Sequence, residues 1–364
     1  MFQQTNPAFE IPKEGWGGVV KNEGPDFYIE VEKVPVPEVG PNDVLIKLNC
    51  TGLCLTDVHC MLNDWGTPKM SASGIKCAGH EGAGVIVKVG ERVTSYKVGQ
   101  RAGIKPVLDV CHICEYCRSG RETYCQKAVL AGGHADGSYK QYIISPERYT
   151  TIIPDGVPDY IAGPAMCSAS TIYTAIKNSE VRPGEWAVFP GGGGGVGIQG
   201  VQLAVAMGIR PVVVDTGKER EELAKKYGAE YFVDFKEVED PVKKVIELTE
   251  GGGHVCFVTA VQSYPVALDY LGSRVGAKVM CIGIPAAGKF NLDIPPATLI
   301  YKGQSVMGTF VSSLVDIDET LAFACRGKLH LEPTVVGLSK WNESIQKLKN
   351  GQVAGRIVVD FNLP

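Results

Sequence analysis

The segments Gly52-Leu53-Cys54-Leu55-Thr56-Asp57-Val58-His59 and Gly79-His80-Glu81-Gly82 bring a thiol, a hydroxyl, carboxylates and two imidazoles close together in the chain. Cys54 and His80 are zinc-type ligands, but two ligands do not hold an ion. A catalytic zinc takes three protein ligands and keeps a fourth position open. These residues therefore predict an incomplete metal site whose third ligand lies far along the chain.

A second set is complete on its own. Cys111-His112-Ile113-Cys114-Glu115-Tyr116-Cys117, followed by Cys125, spells C-x2-C-x2-C-x7-C. Four thiolates so tightly spaced converge on one tetrahedral ion and leave no position for water, so the site is structural. An iron–sulfur cluster also takes four cysteines and is the chemical rival. Of twelve cysteines in the chain, four fall between 111 and 125. Such crowding, with no secretory signal, favours metal over disulfides.

The third constellation is Pro190-Gly191-Gly192-Gly193-Gly194-Gly195-Val196-Gly197. Read from Gly192 through Gly194 to Gly197, with Gly195 and Val196 inside, it satisfies G-x-G-x-x-G. It follows an apolar run, Trp186–Phe189, and opens a helical pattern. That context is what a pyrophosphate-binding turn requires. Asp215 stands about 20 residues on, where an acid hydrogen-bonds the adenosine ribose; its charge favours NAD over NADP. Lys218, Glu219 and Arg220 read as a solvated helix start, with Lys218 the candidate to touch the ribose. Cys167, in Gly163-Pro164-Ala165-Met166-Cys167-Ser168, lies where the pattern turns from β-rich to nucleotide-binding. A ligand at that junction completes a Cys54/His80/Cys167 set in the cleft beside the nicotinamide.

The elements that must position these groups fall into two styles. Residues before about 165 read as short strands with dense turn residues, the clearest being Val44–Leu48 and Gly82–Gly90. Beyond them, strand-like runs at Trp186–Phe189, Pro211–Val214, Tyr231–Val233, His254–Val258, Val279–Ile282 and Val306–Met307 alternate with helical patterns. Those patterns are Val196–Met207, Lys218–Tyr227, Pro241–Thr249 and Tyr264–Leu271. Six strands with helical crossovers predict a doubly wound parallel sheet, a Rossmann unit. Asp316–Cys325 and Trp341–Lys349 read as helices and Gly355–Asp360 as a strand returning to the first unit. The expected division is a catalytic domain of 1–165 plus 311–364, carrying both metal sites, and a coenzyme domain of 166–310.

Hydrophobic residues make up 45% and charged residues 21%, with a formal net charge of -4. That balance gives no electrostatic footprint for nucleic acid. The sequence has neither a signal-peptide pattern nor a stretch long enough to span a bilayer, which predicts a cytoplasmic protein without membrane partners.

Taken together, Gly79-His80-Glu81-Gly82-Ala83-Gly84, the four-cysteine loop, the glycine run with Asp215 and the tail Gly351-Gln352-Val353-Ala354-Gly355-Arg356 resemble the zinc-dependent medium-chain alcohol dehydrogenases, most closely the yeast and fungal tetrameric type. The resemblance implies an α/β protein with a GroES-like catalytic domain, two zinc ions per chain, NAD, a small alcohol, aldehyde or ketone substrate, and a homotetramer. It assigns Cys54, His80 and Cys167 to the catalytic zinc and Cys111, Cys114, Cys117 and Cys125 to the structural one. Glu81 matches an acid that approaches the catalytic metal, and Asp57 a carboxylate behind its ligands. Thr56 matches the hydroxyl that touches the substrate oxygen, His59 the outer end of the proton relay, and Arg356 an arginine that reaches the coenzyme pyrophosphate. Trp65 keeps one bulky aromatic of the yeast-type substrate pocket, whereas Pro106 replaces the other. Leu55 stands where a basic residue often meets the coenzyme phosphates. The implied reaction is reversible hydride transfer between an alcohol and NAD. A biosynthetic isomerisation or cyclisation on the same scaffold, and a zinc module binding nucleic acid, are the alternatives.

Overall fold

The computed structural model describes residues 9–292 and 294–364. Trp186–Pro190 and Val255–Val258 are buried along their whole length, as strands covered on both faces must be. They are the centre of a six-stranded parallel sheet. Its order is Tyr231–Asp234, Arg210–Asp215, Trp186–Pro190, Val255–Val258, Lys278–Cys281 and Ser305–Gly308. In sequence terms this is 3-2-1-4-5-6, the doubly wound Rossmann order, with its switch point beside the first strand. All six expected strands are present, and helices form over Gly197–Ala206, Lys218–Lys226 and Pro241–Leu248. One expectation fails. Tyr264–Leu271 is not a helix but parts of two 3-10 turns, Val261–Val266 and Asp269–Leu271. Their bonds span three residues and not four: the Ala267 N–H donates to the Tyr264 carbonyl at 3.3 Å and the Leu271 N–H to the Leu268 carbonyl at 3.1 Å.

The other sheet is mostly antiparallel and built on Asp43–Gly52. That strand pairs with Gly82–Val89, Tyr142–Pro146 and, from the end of the chain, Ile357–Asp360. The last pairing sets Val358 opposite Gly52 and Asp360 opposite Cys50, so the tail lies beside the entry to the Cys54 segment. Apolar side chains on one face of this sheet join Trp341 and Ile345 of the Trp341–Lys349 helix in a core.

The connection between the two sheets carries an irregularity that sequence periodicity does not reveal. Helix Asp159–Pro164 widens into a π-helical stretch, Ala165–Ala169, before continuing as Ser170–Ser179. Pro164 supplies no backbone donor at the junction, and the π turn accommodates the extra residue. Cys167 sits in the middle of that stretch.

Candidate metal and coenzyme site

The short helix Leu55–Leu62 begins directly after the strand Asp43–Gly52, with Cys54 as its N-cap in extended conformation. Asp57 in its first turn accepts from the Cys54 N–H at 3.0 Å. The same carboxylate is almost wholly buried, faces His80 Nδ1 at 2.7 Å and accepts from the Tyr139 hydroxyl at 2.9 Å. Asp57 therefore takes up one imidazole nitrogen and leaves the other, Nε2, free to ligate. Among the described residues His80 Nε2 has no hydrogen-bond partner although it is buried. Ligand atoms of Cys54, His80, Glu81 and Cys167 lie within 4.8 Å of one another. A buried imidazole nitrogen without a partner, facing two thiols, is the donor set of an open zinc site.

The electrostatics agree. The Cys167 thiol donates toward Cys54 and holds the Cys54 thiol well below its ordinary range, with Arg356 and His80 adding positive potential. The same sharing, together with burial, pushes Cys167 up. Burial alone would lower His80, but the charge and hydrogen bond of Asp57 outweigh it and raise the imidazole. This negative field around a buried pocket attracts a cation. Burial pushes Glu81 up to about 7, opposed by Arg356, whose guanidinium donates to Glu81 Oε1. Glu81 Oε2 is buried and has no hydrogen-bond partner among the described residues.

Arg356 connects this cluster to the glycine turn. A β-carbon at Gly195 would lie 2.7 Å from Arg356 Nη1, and the Gly355 N–H donates to the Gly193 carbonyl at 3.0 Å. The turn needs its glycines for space: a β-carbon at Gly197 would meet Gly191 O and Gly192 Cα at 2.5 Å, and one at Gly192 would meet Val213 at 2.7 Å. Val196 caps the helix that follows. Asp215 ends its strand buried, accepting from the Gly193 N–H at 3.0 Å.

Two residues follow the glycine turn on the next helix. Lys218, at the expected solvated helix start, is 87% exposed and lies 3.7 Å from Glu222. Arg220, expected in solvent, instead pairs with Asp215 at 2.9 Å and donates to the carbonyls of Gly351 and Val353. It ties the tail to Asp215. Gln199 is a further residue that the motif did not single out. Its amide donates to Gly195 O at 2.7 Å and to the hydroxyl of Ser168, next to Cys167, at 2.6 Å. Only its place on the helix after the glycine turn could have drawn attention to it.

Thr56 and His59 share one face of the first helix, three residues apart. His59 Nδ1 lies 2.9 Å from both carboxylate oxygens of Asp64, and its ring stacks on Trp65 with centroids 5.2 Å apart. Leu55 is about half exposed at the helix start. Pro106 occupies the turn between Arg101–Ile104 and Val107–Asp109. The preceding strand packs under the Cys167 segment, since a β-carbon at Gly103 would meet Met166.

The four-cysteine loop is a separate lobe. Cys111 and Cys114 Sγ lie 3.9 and 3.5 Å from Cys117 Sγ, and all four sulfurs fall within 4.8 Å. A tetrahedron of Zn–S bonds near 2.3 Å has edges of about 3.8 Å. Thiolates of a cluster, spread over several irons, stand further apart, so the spacing suits a single ion. Backbone N–H groups of Cys114, Cys111 and Lys127 point at sulfur, and His112 takes a left-handed φ of 59° to turn the knuckle. The N–H groups of Ile113 and Cys114 bring Cys111 down to about 6, while burial pushes Cys117 up to about 12.

A Rossmann unit joined to a β-rich unit with an open Cys2His cluster and a closed four-thiol lobe defines a zinc-binding oxidoreductase scaffold. Residues 40–155 match the alcohol dehydrogenase GroES-like domain, and 195–325 the zinc-binding dehydrogenase domain. The chain is 39% identical over 355 residues to an alcohol dehydrogenase of Schizosaccharomyces pombe, covering 97% of this chain and 99% of that one. It is 37% identical over 359 residues to alcohol dehydrogenase 1 of Neurospora crassa, with the same coverage. The alcohol dehydrogenase of Aeropyrum pernix superposes with a TM-score of 0.83 at 25% identity, over 95% of this chain and 99% of that one. The chain belongs to the zinc-dependent medium-chain alcohol dehydrogenase family. No helix among the described residues is long and apolar enough to cross a membrane.

Proposed function

We propose that the chain catalyses reversible hydride transfer between an alcohol and NAD, with two zinc ions per chain. The observation that carries this reading is Arg356, which touches both the Cys54/His80/Glu81/Cys167 cluster and the glycine turn. That link supports reading the thiol–imidazole cluster and the glycine turn as two parts of one cleft, the first for a metal and the second for a dinucleotide. When bound, zinc polarises the substrate oxygen and NAD accepts the hydride.

The protein's own groups then have distinct tasks. Cys54, Cys167 and His80 hold the metal, and Asp57 keeps His80 in the ligating tautomer. The carboxylate of Asp215 favours a ribose with free hydroxyls over a 2′-phosphate, although the Arg220 guanidinium beside it weakens that selection. Thr56 accepts the substrate's hydroxyl proton as it passes its own onward, and His59, on the same helix face and partly open to water, is the outer end of that relay and hands a proton to solvent. Trp65 forms one wall of the substrate pocket, and Pro106 makes the pocket roomier than two aromatics would. The division into a catalytic unit of 1–165 and 311–364 and a coenzyme unit of 166–310, the cytoplasmic setting and a tetrameric assembly belong to the same reading.

The test is a coenzyme-linked absorbance screen with NAD and NADP over primary, secondary and cyclic alcohols, run with metal analysis. NAD reduction and about two zinc per chain are expected, with higher kcat/KM for alcohols bulkier than ethanol. A clear ethanol preference removes the Pro106 argument. Turnover of none of them with NAD removes the reaction.

A further inference from the structure

His59 has a partner that the relay assignment does not mention. The helix carrying it ends at Leu62, and Asn63 takes a left-handed conformation, φ 53°, with its N–H on the Cys60 carbonyl. An acid five residues after a histidine does not face it on a continuous helix. The left-handed turn brings Asp64 back under the helix, and both of its carboxylate oxygens reach His59 Nδ1 at 2.9 Å. Trp65, the next residue, lies nearly parallel to the imidazole at 23° and limits its rotation. The Asp64 carbonyl is held as well: it accepts the Ala287 N–H at 2.9 Å, from the loop after the coenzyme-sheet strand Lys278–Cys281. Asp64 is thus fixed at both its backbone and its side chain, with one end anchored in the other unit.

We propose that Asp64 is the positioning residue of His59. It accepts Nδ1–H, so the neutral ring carries its lone pair on Nε2, and that atom takes the proton. When the ring becomes cationic, the adjacent carboxylate stabilises it, as an orienting acid does for any histidine base. An ion pair this exposed, with side chains 21% and 27% accessible, adds little to stability. Its value lies in fixing one tautomer and one ring orientation at the moment of proton transfer. The inference rests on the reading of His59 as the proton outlet.

Two measurements on the full-length, zinc-loaded enzyme test it. The first is nitrogen-detected imidazole NMR of histidine-labelled protein. The chain has six histidines, and the signal lost in His59→Gln identifies the one of interest. The Nδ1–H tautomer is expected in the unaltered protein, moving toward Nε2–H in Asp64→Ala. Finding Nε2–H in the unaltered protein overturns the proposal without any Asp64 variant. The second is a double-mutant cycle. Asp64→Ala should lower kcat about tenfold, a part of the roughly hundredfold or more that a positioned base contributes, with little change in the KM for NAD. The same substitution in a His59→Gln background should cost nothing further. An equal loss in both backgrounds means that Asp64 does not act through His59. If the unaltered enzyme oxidises no alcohol, the functional reading fails, while the tautomer still decides the Asp64–His59 relation.

Discussion

The two thiol clusters solve different problems with the same side chain. The lobe gathers four cysteines from one short loop, leaves three of them half-buried and aims backbone N–H groups at the sulfurs. The open cluster takes Cys54 from a helix N-cap, His80 from the approach to a strand and Cys167 from a π-helical turn. It buries all of them and spends one fully buried ion pair, Arg356–Glu81, beside them. Local backbone suffices to shape a closed site. A site with one position left for substrate needs walls, and only distant segments supply them.

Breaking one ligand in each cluster should separate these roles. Cys167→Ser should lower kcat/KM at least about a thousandfold, the several kcal/mol of Lewis-acid stabilisation, and leave the lobe's metal in place. Cys114→Ser should release the lobe's metal and lower the unfolding temperature, with less effect on initial rates of the surviving protein. Metal analysis beside thermal unfolding reads both; equal effects from the two variants would erase the distinction.

A subtler break is Asp57→Asn, which weakens the hold on His80 Nδ1. Metal affinity of the open cluster should fall about 10–100-fold, read by chelator competition, with the four-thiol lobe unaffected.

The lobe's footing offers a pH test. Lys105 is buried, donates to the Tyr149 carbonyl and lies 4.3 Å from the centroid of the Tyr149 ring, which meets His112 of the lobe. Burial pushes its ammonium from 10.5 down to about 7. Between those values the folded chain binds fewer protons than the unfolded one. Stability therefore rises with pH there, by at most about 1.4 kcal/mol per unit, and the full burial cost stands below 7. Lys105→Met should remove this contribution to the slope, visible by comparing denaturant unfolding of the two proteins from pH 7 to 9. The smallest effect is expected at Leu55. Leu55→Arg adds one exposed charge at the helix start and, if the coenzyme phosphates bind there as the family resemblance implies, should tighten NAD about threefold, under 1 kcal/mol, by equilibrium fluorescence titration.

Much of the fold was legible because its signals are local. The coenzyme strands are short apolar runs, and the helices between them have apolar spacing that survives in the structure. The tail's return was readable from the strand-like Ile357–Asp360. Tyr264–Leu271 misled because its apolar spacing fits a helix, and spacing does not distinguish an α-helix from two successive 3-10 turns that bury the same side chains. Arg220 looked like one more charge at a solvated helix start, since nothing in the sequence says that the Gly351–Val353 carbonyls fold over it. Gln199 and Asp64 carry no motif, so their partners Ser168 and His59 could not be named.

By itself the sequence determined which residues can bind metal and which turn can cradle a pyrophosphate. Thiols, imidazoles and glycines have few other reasons to occur in those spacings. It also determined the closed lobe almost completely, because a short loop has few ways to bring four sulfurs to one point. Only the tertiary structure decided that Asp57 faces His80, that Arg356 spans the metal cluster and the glycine turn, and that Asp64 turns back onto His59. Those contacts join segments whose separation in the chain carries no information about distance: they depend on the pairing of Ile357–Asp360 with Asp43–Gly52, on a π turn after Pro164 and on one left-handed asparagine.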